Sequence, residues 1–156
     1  MHETLPYQRV LALINFDSSD EKIARKALML ARLNHAQLLF LHLIDPVASL
    51  DGGYPVASAK AEAAALEAGA MRRLDFLKAQ ISAGEAECIT RHGPARQGLK
   101  HLLREWQPDL IVSGLDPGYL TGNQDLLILG QPHRLSGGAF KRISNWLSEQ
   151  FQPVST

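Results

Sequence analysis

Short apolar runs recur along this chain, and the residues between neighbouring runs are enough for at least one helix. The clearest run lies in residues 9–15, where five apolar residues follow one another; residues 38–44 form a longer run broken by His42, and residues 109–114 contain a third. Such runs are typical of strands buried on both faces, as in a parallel sheet covered by helices. They predict an α/β fold with a doubly wound, mostly parallel sheet.

Weaker segments complete the predicted architecture. Residues 87–90 indicate a short strand, and residues 125–130 fit either a further strand or a helical turn. Helical patterns occupy the intervals, at about 18–34, 57–79, 94–107 and 136–150. With no linker or repeat between them, residues 1–156 are expected to form a single domain.

Details of two helices follow from local signals. Ser18 and Glu21 have the spacing of a capping box, and the first helix is expected to end near Asn34 in a left-handed cap. In the second helix we expect a buried stripe of regularly spaced apolar residues, namely Leu66, Ala70, Leu74 and Leu77.

Composition excludes several classes of protein. The 16 basic residues balance 16 acidic ones, which argues against a large surface for nucleic acid. Cys88 is the only cysteine, so an internal disulfide is impossible. The longest apolar run is too short to cross a membrane, and the first residues lack the pattern of a signal peptide. We therefore expect a cytoplasmic protein that does not bind membranes.

Four segments together resemble the universal stress protein family. They are residues 9–31, the LHLIDP segment at 41–46, the turn Gly93-Pro94-Ala95 and the DLIVSG segment at 109–114. The resemblance implies a five-stranded parallel sheet of order 3-2-1-4-5 with helices on both faces. It also implies a homodimer associated with stress responses. One branch of that family binds ATP, which Mg²⁺ would accompany, and another does not.

The ATP-binding pattern of that family is matched only in part. Asn15 stands where the family's nucleotide-contacting Asp is expected, so an oxygen acceptor is kept but the charge that helps to hold Mg²⁺ is lost. The backbone of Leu43 stands at the second-strand contact. The glycine pattern would use Gly114, Gly118 (one residue late, after Pro117) and Gly130, which is followed by Gln131 rather than Ser or Thr.

A second alignment is also open. Residues 125–130 would then be the family's DLIVMG-like strand, and residues 131–138 its phosphate loop. Gly137 and Gly138 would lie at a helix N-terminus, where free N–H groups attract anions.

No residue pattern indicates catalysis. Asp17 and Asp20 are explained by helix capping, His42 by a hydrogen-bonded position in the core, and Cys88 by burial. The fragment from Gly93 to Lys100 lacks the spacing of a P-loop and indicates a helix start.

Three functions follow from these observations. The leading hypothesis is a non-enzymatic stress-response module that binds an adenine nucleotide in a degenerate pocket at the carboxyl ends of the strands. The alternative is a ligand-free dimeric interaction module of the same fold. A weak ATP-hydrolysing enzyme is the third.

Overall fold

The structure, a computed structural model, describes residues 6–44, 56–118, 120 and 124–129, without the side chains of 56–59. Five strands and three helices are formed by this part of the chain. In chain order they are β1 (Arg9–Leu13), α1 (Asp20–Asn34), β2 (Gln37–Ile44), α2 (Val56–Gln80), β3 (Glu87–His92), α3 (Ala95–Trp106), β4 (Leu110–Ser113) and β5 (Asp125–Ile128). The predicted helix at 136–150 lies outside the described residues.

The strands form one parallel sheet in the order β3-β2-β1-β4-β5, which confirms the predicted fold class and strand order. Residues 125–128 are a strand, so the helical-turn alternative for that segment is wrong. Strand β4 pairs with the edge of β1 opposite to β2. This agrees with the alignment in which residues 109–114 are the family's DLIVMG-like strand. The chain moves outward in one direction from β1 through β2 to β3, then returns to β4. The order therefore reverses between β1 and β4, and doubly wound sheets bind ligands at that point.

Two apolar layers enclose the sheet. Alternate residues of a strand point to opposite faces, so Val10, Ala12 and Ile14 face α1 and α2, while Leu11 and Leu13 face α3. All five are at most 6% exposed. Burial on both faces explains why the strands contain uninterrupted apolar runs, and it leaves the ends of the strands as the place for polar chemistry.

One carboxylate joins the starts of β1 and β4. Asp109 accepts hydrogen bonds from the backbone N–H of Gln8 at 2.9 and 3.2 Å and from that of Arg9 at 2.9 Å. The Asp109 N–H in turn donates to the Arg9 carbonyl at 3.0 Å. The aspartate that opens the DLIVSG segment thus fixes the position of β4 beside β1.

Three local expectations need correction. The N-cap of α1 is Ser19 rather than Ser18, and its hydroxyl makes no cap bond but donates to Asp17. Asp17 and Asp20 accept the N–H groups of Ser19 and Phe16, which lie before the helix. The left-handed residue after α1 is His35, with φ of 54°, since the helix includes Asn34.

Leu66 is the third correction. It is 37% exposed, although the other three residues of its predicted stripe are buried. Helix α2 has 25 residues and is about 37 Å long, whereas the eight residues of β2 span about 26 Å. The helix is therefore longer than the sheet beneath it, and a correct helical spacing does not guarantee burial along its whole length.

Candidate functional site

The sheet brings the predicted contact residues of three strands within one residue of the same level. Leu13 pairs with Leu41, and Ala12 pairs with Val112. When these registers are continued, Asn15 lies level with Leu43, and Ile14 lies level with Gly114. The carboxyl ends of β2, β1 and β4 therefore meet where the strand order reverses.

At this edge Asn15 is exposed, whereas Leu43 is only partly exposed. Asn15 is exposed directly after β1. Leu43 is half-buried in the apolar layer of α3, and a Cβ on Gly98 would lie 3.1 Å from its Cδ2 atom. Most of the Leu43 side chain is therefore engaged by α3, and a backbone contact to a ligand at this position stays a prediction.

The loop after β4 makes its own hydrogen bonds. The Ser113 hydroxyl donates to the Leu115 carbonyl at 2.7 Å, and the Asp116 carboxylate accepts from the Gly118 N–H at 2.9 Å. Gly118 has a φ of +81°, a conformation that L side chains rarely adopt. A phosphate that bound the Gly118 N–H would have to displace a negatively charged carboxylate.

Gly114 is held against helix α1. A Cβ at this position would lie 3.2 Å from both Ile23 Cδ1 and Ser19 Oγ. Close packing therefore accounts for this glycine with or without a ligand. The remaining predicted contacts, Gly130, Gln131, Gly137 and Gly138, lie outside the described residues.

A cavity of about 800 Å³ lies beside this edge, on the face of the sheet covered by α1 and α2. It is bordered by the loop after β1, the end of β2 and one side of α2. Its lining includes Phe16, Asp20, His42, Arg73 and Phe76. None of the predicted nucleotide contacts that the structure describes lines it, so it adjoins the predicted site without coinciding with it.

Three side chains form a stack in the wall of this cavity. The rings of Phe16 and His42 are 3.7 Å apart at an interplanar angle of 20°, and the Arg73 guanidinium lies 4.0 Å from the Phe16 centroid. Two groups at these distances cannot share one face of the ring, so Phe16 lies between them. Phe16 has a φ of 62°, which is unusual for a bulky residue, and its N–H donates to Asp20. The stack and this hydrogen bond hold Phe16 in that conformation.

Burial controls the charges around the stack. It lowers the pKa of the His42 imidazole, and the charge of Arg73 acts in the same direction, although a hydrogen bond to the Ile14 carbonyl opposes both. A neutral ring whose Nδ1 lies 2.8 Å from that carbonyl oxygen must carry its proton on Nδ1. Burial also raises the pKa of Asp20. The predicted hydrogen bond of His42 is confirmed, but the side chain is half-buried in the cavity wall and does not lie in the core.

Polar groups in the turn before α1 are already hydrogen-bonded to one another. Asp17 accepts hydrogen bonds from both the N–H and the hydroxyl of Ser19, so these neighbours satisfy each other within the turn. Among the described residues, no three His, Cys, Asp or Glu side chains gather as a metal site requires. In the same part of the chain, no helix is both long and apolar enough to cross a membrane.

Sequence reasoning missed Phe16 and Arg73. Phe16 follows a strand directly, but its left-handed backbone conformation has no signal in the residue type. Arg73 was one of several charged residues on a long helix. The only usable signal was position, since loops that follow strand ends carry function more often than other segments do.

Comparisons with known proteins agree with this architecture. A relative from Coxiella burnetii named universal stress protein A homolog 2 is 27% identical over 109 residues, which are 69% of this chain and 75% of the relative. The solved structure of hypothetical protein MJ0577 has a TM-score of 0.61 at 14% identity, over 82% of this chain and 99% of that one. A universal stress protein family structure from Burkholderia pseudomallei has a TM-score of 0.54 at 23% identity, over 70% and 82%. These two likenesses show a shared fold.

The family model described as "Universal stress protein family" matches residues 6–133, most of the chain. The chain therefore belongs to the universal stress protein family.

Proposed function

We propose that this protein is a non-enzymatic stress-response module that binds an adenine nucleotide at the carboxyl ends of β2, β1 and β4. The observation that carries the proposal is that Asn15 and Leu43 lie level, and Gly114 one residue away beside Ile14, at the point where the strand order reverses. Open α/β sheets bind ligands in the crevice at this point.

Each group has a distinct role in this proposal. The backbone of Leu43 contacts the adenine, because its side chain is packed in the core. Asn15 offers one carbonyl acceptor and two amide donors to the nucleotide. The N–H groups between Gly114 and Gly118 face the phosphates, after Asp116 has moved away from the Gly118 N–H.

The role of Mg²⁺ follows from Asn15. Magnesium prefers carboxylate and phosphate oxygens, and an amide attracts it less than a carboxylate does. The metal is therefore held mainly by the nucleotide's own phosphates. We expect ATP to bind with similar affinity in the presence and absence of Mg²⁺.

Calorimetric titration with ATP tests the proposal. We expect saturable binding that weakens about fivefold in Asn15→Ala, since a net hydrogen bond contributes about 1 kcal/mol. Gln37→Ala is the matched control, because Gln37 is an exposed amide at the opposite end of β2. No uptake of ATP at millimolar concentration would refute the proposal. Phosphate release should stay at the buffer rate, since no catalytic pair supports hydrolysis.

A second candidate function is a ligand-free dimeric interaction module. The bond between Asp116 and Gly118 supports it, because the loop that would hold phosphates is already satisfied. Protein purified without added nucleotide separates the two candidates. Copurified nucleotide, detected after denaturation, supports the binding module. A homodimer in light scattering that carries no nucleotide and takes up none supports the interaction module.

A further inference from the structure

A long segment of this neutral chain contains no acidic residue. Between Glu87 and Glu105 there is no Asp or Glu, whereas Arg91, Arg96, Lys100 and Arg104 all fall in this interval, together with two histidines. Chains with balanced charge usually intersperse the two signs on their surface. The segment covers most of β3 and α3, so four of the 16 Lys and Arg residues lie together in a part of the fold without carboxylates of its own.

A groove lies along this segment. Its volume is about 460 Å³, and it runs from the end of β3 along one side of α3. The lining consists of Arg91, His92, Gly93, Pro94, Gln97, Gly98, Lys100, His101 and Arg104. Five of these nine residues have side chains that are cationic or become so on protonation, and none is a carboxylate. Among the nine lining residues, Gln97, Lys100 and Arg104 have the spacing of one face of α3.

The nearby carboxylates pair with other residues of the groove, so two of its cations have no ion pair within the described residues. Glu105 pairs with Arg91 at 2.7 Å and lies 3.1 Å from His101, while Glu67 of α2 lies 3.4 Å from His92. Neither glutamate lines the groove. Within the described residues, Lys100 and Arg104 have no ion pair, and both are exposed.

This distribution of charge is unfavourable for an isolated helix. The first turn of α3 contains no acidic residue, but it contains Arg96, although the positive end of the helix dipole favours negative charge. Lys100 and Arg104 are like charges at i and i+4, which repel. An anion in the groove would relieve this repulsion.

We propose that this groove binds a small molecule that carries two or more linked phosphate groups. Lys100 and Arg104 provide positive charge that no ion pair offsets among the described residues, with the Arg91–Glu105 pair beside them, and guanidinium groups bind phosphate oxygens through paired hydrogen bonds. The N–H groups at the start of α3 add donors, since Pro94 provides no side-chain cap. The groove adjoins the proposed nucleotide site through the contact of Gly98 with Leu43, but the groove uses a different set of residues.

Titration with tripolyphosphate, which lacks a base and a sugar, tests the groove by itself. We expect saturable binding that weakens at least about tenfold in the double variant Lys100→Gln/Arg104→Gln, because charge-assisted hydrogen bonds are lost. Lys22→Gln/Arg72→Gln is the matched control. It removes the same charge from exposed positions on α1 and α2 and should leave the affinity unchanged. Thermal unfolding of both double variants should show that each is folded.

Three results would overturn the proposal. They are an absence of tripolyphosphate binding at millimolar concentration, an equal loss of affinity in the two double variants, and equal affinity for citrate, a carboxylate anion without phosphate. Asn15→Ala separates this site from the nucleotide site, since it should weaken ATP binding and leave tripolyphosphate binding intact. Tripolyphosphate binding that is lost in Asn15→Ala but kept in Lys100→Gln/Arg104→Gln would assign the phosphates to the nucleotide site and refute the groove.

Discussion

Asp116 controls the proposed nucleotide site, and its removal should strengthen ATP binding. Its carboxylate accepts the Gly118 N–H at 2.9 Å, where a phosphate oxygen would otherwise bind. Two negative charges about 4 Å apart repel by about 1 kcal/mol in a water-like dielectric, which applies because Asp116 is exposed. A freed N–H that binds phosphate adds about 1 kcal/mol. The sum of about 2 kcal/mol corresponds to roughly thirtyfold tighter binding in Asp116→Ala.

Asp116→Asn separates the two contributions. Its side-chain oxygen still accepts the Gly118 N–H, but the negative charge is gone, so the gain should be only about fivefold. Calorimetric titration of ATP into the wild type and both variants at one salt concentration gives the comparison. Unchanged or weaker ATP binding in both variants would refute the placement of phosphates at this loop.

Three further predictions concern the fold and its ionisable groups. Asp109→Ala should reduce the free energy of unfolding by about 2 kcal/mol in urea titrations, because two backbone donors at the start of β1 lose their acceptor, and Asp109→Asn should reduce it less. His42 has a lower pKa in the folded chain than in the unfolded chain, so the unfolded chain binds the proton first as pH falls. Stability should therefore decrease from about pH 6.5 downward to the folded-state pKa, and this decrease should be smaller in His42→Gln. Burial raises the pKa of Cys88 to about 11 from 9.0, so at pH 8 a thiol reagent should label the folded protein about a hundredfold more slowly than the urea-unfolded chain.

The sheet was predictable from the sequence because its strands are buried on both faces. A run such as the one in β1 has few alternatives to a central parallel strand, and the order of the strands followed from the family resemblance. The fifth strand was ambiguous because the four residues from Asp125 to Ile128 are too few to distinguish a strand from a helical turn.

The site was less predictable because it depends on backbone conformation and on distant contacts. Asn15 and Leu43 could be placed from their positions at strand ends. The bond from Asp116 to Gly118 could not be placed, since it depends on how the loop turns, and neither could the stack of Phe16 between His42 and Arg73. Phe16 and Arg73 are 57 positions apart in the sequence, so no local pattern predicts their contact.

The most direct test of nucleotide binding between β2, β1 and β4 is an ATP titration followed by backbone amide NMR. We predict that the amide signals of Asn15, Leu43 and Gly114 shift together and fit a single dissociation constant. Signals at the opposite end of the sheet, such as that of Gln37, should stay in place. An absence of shifts at millimolar ATP, or shifts confined to residues away from these three strand ends, would contradict it.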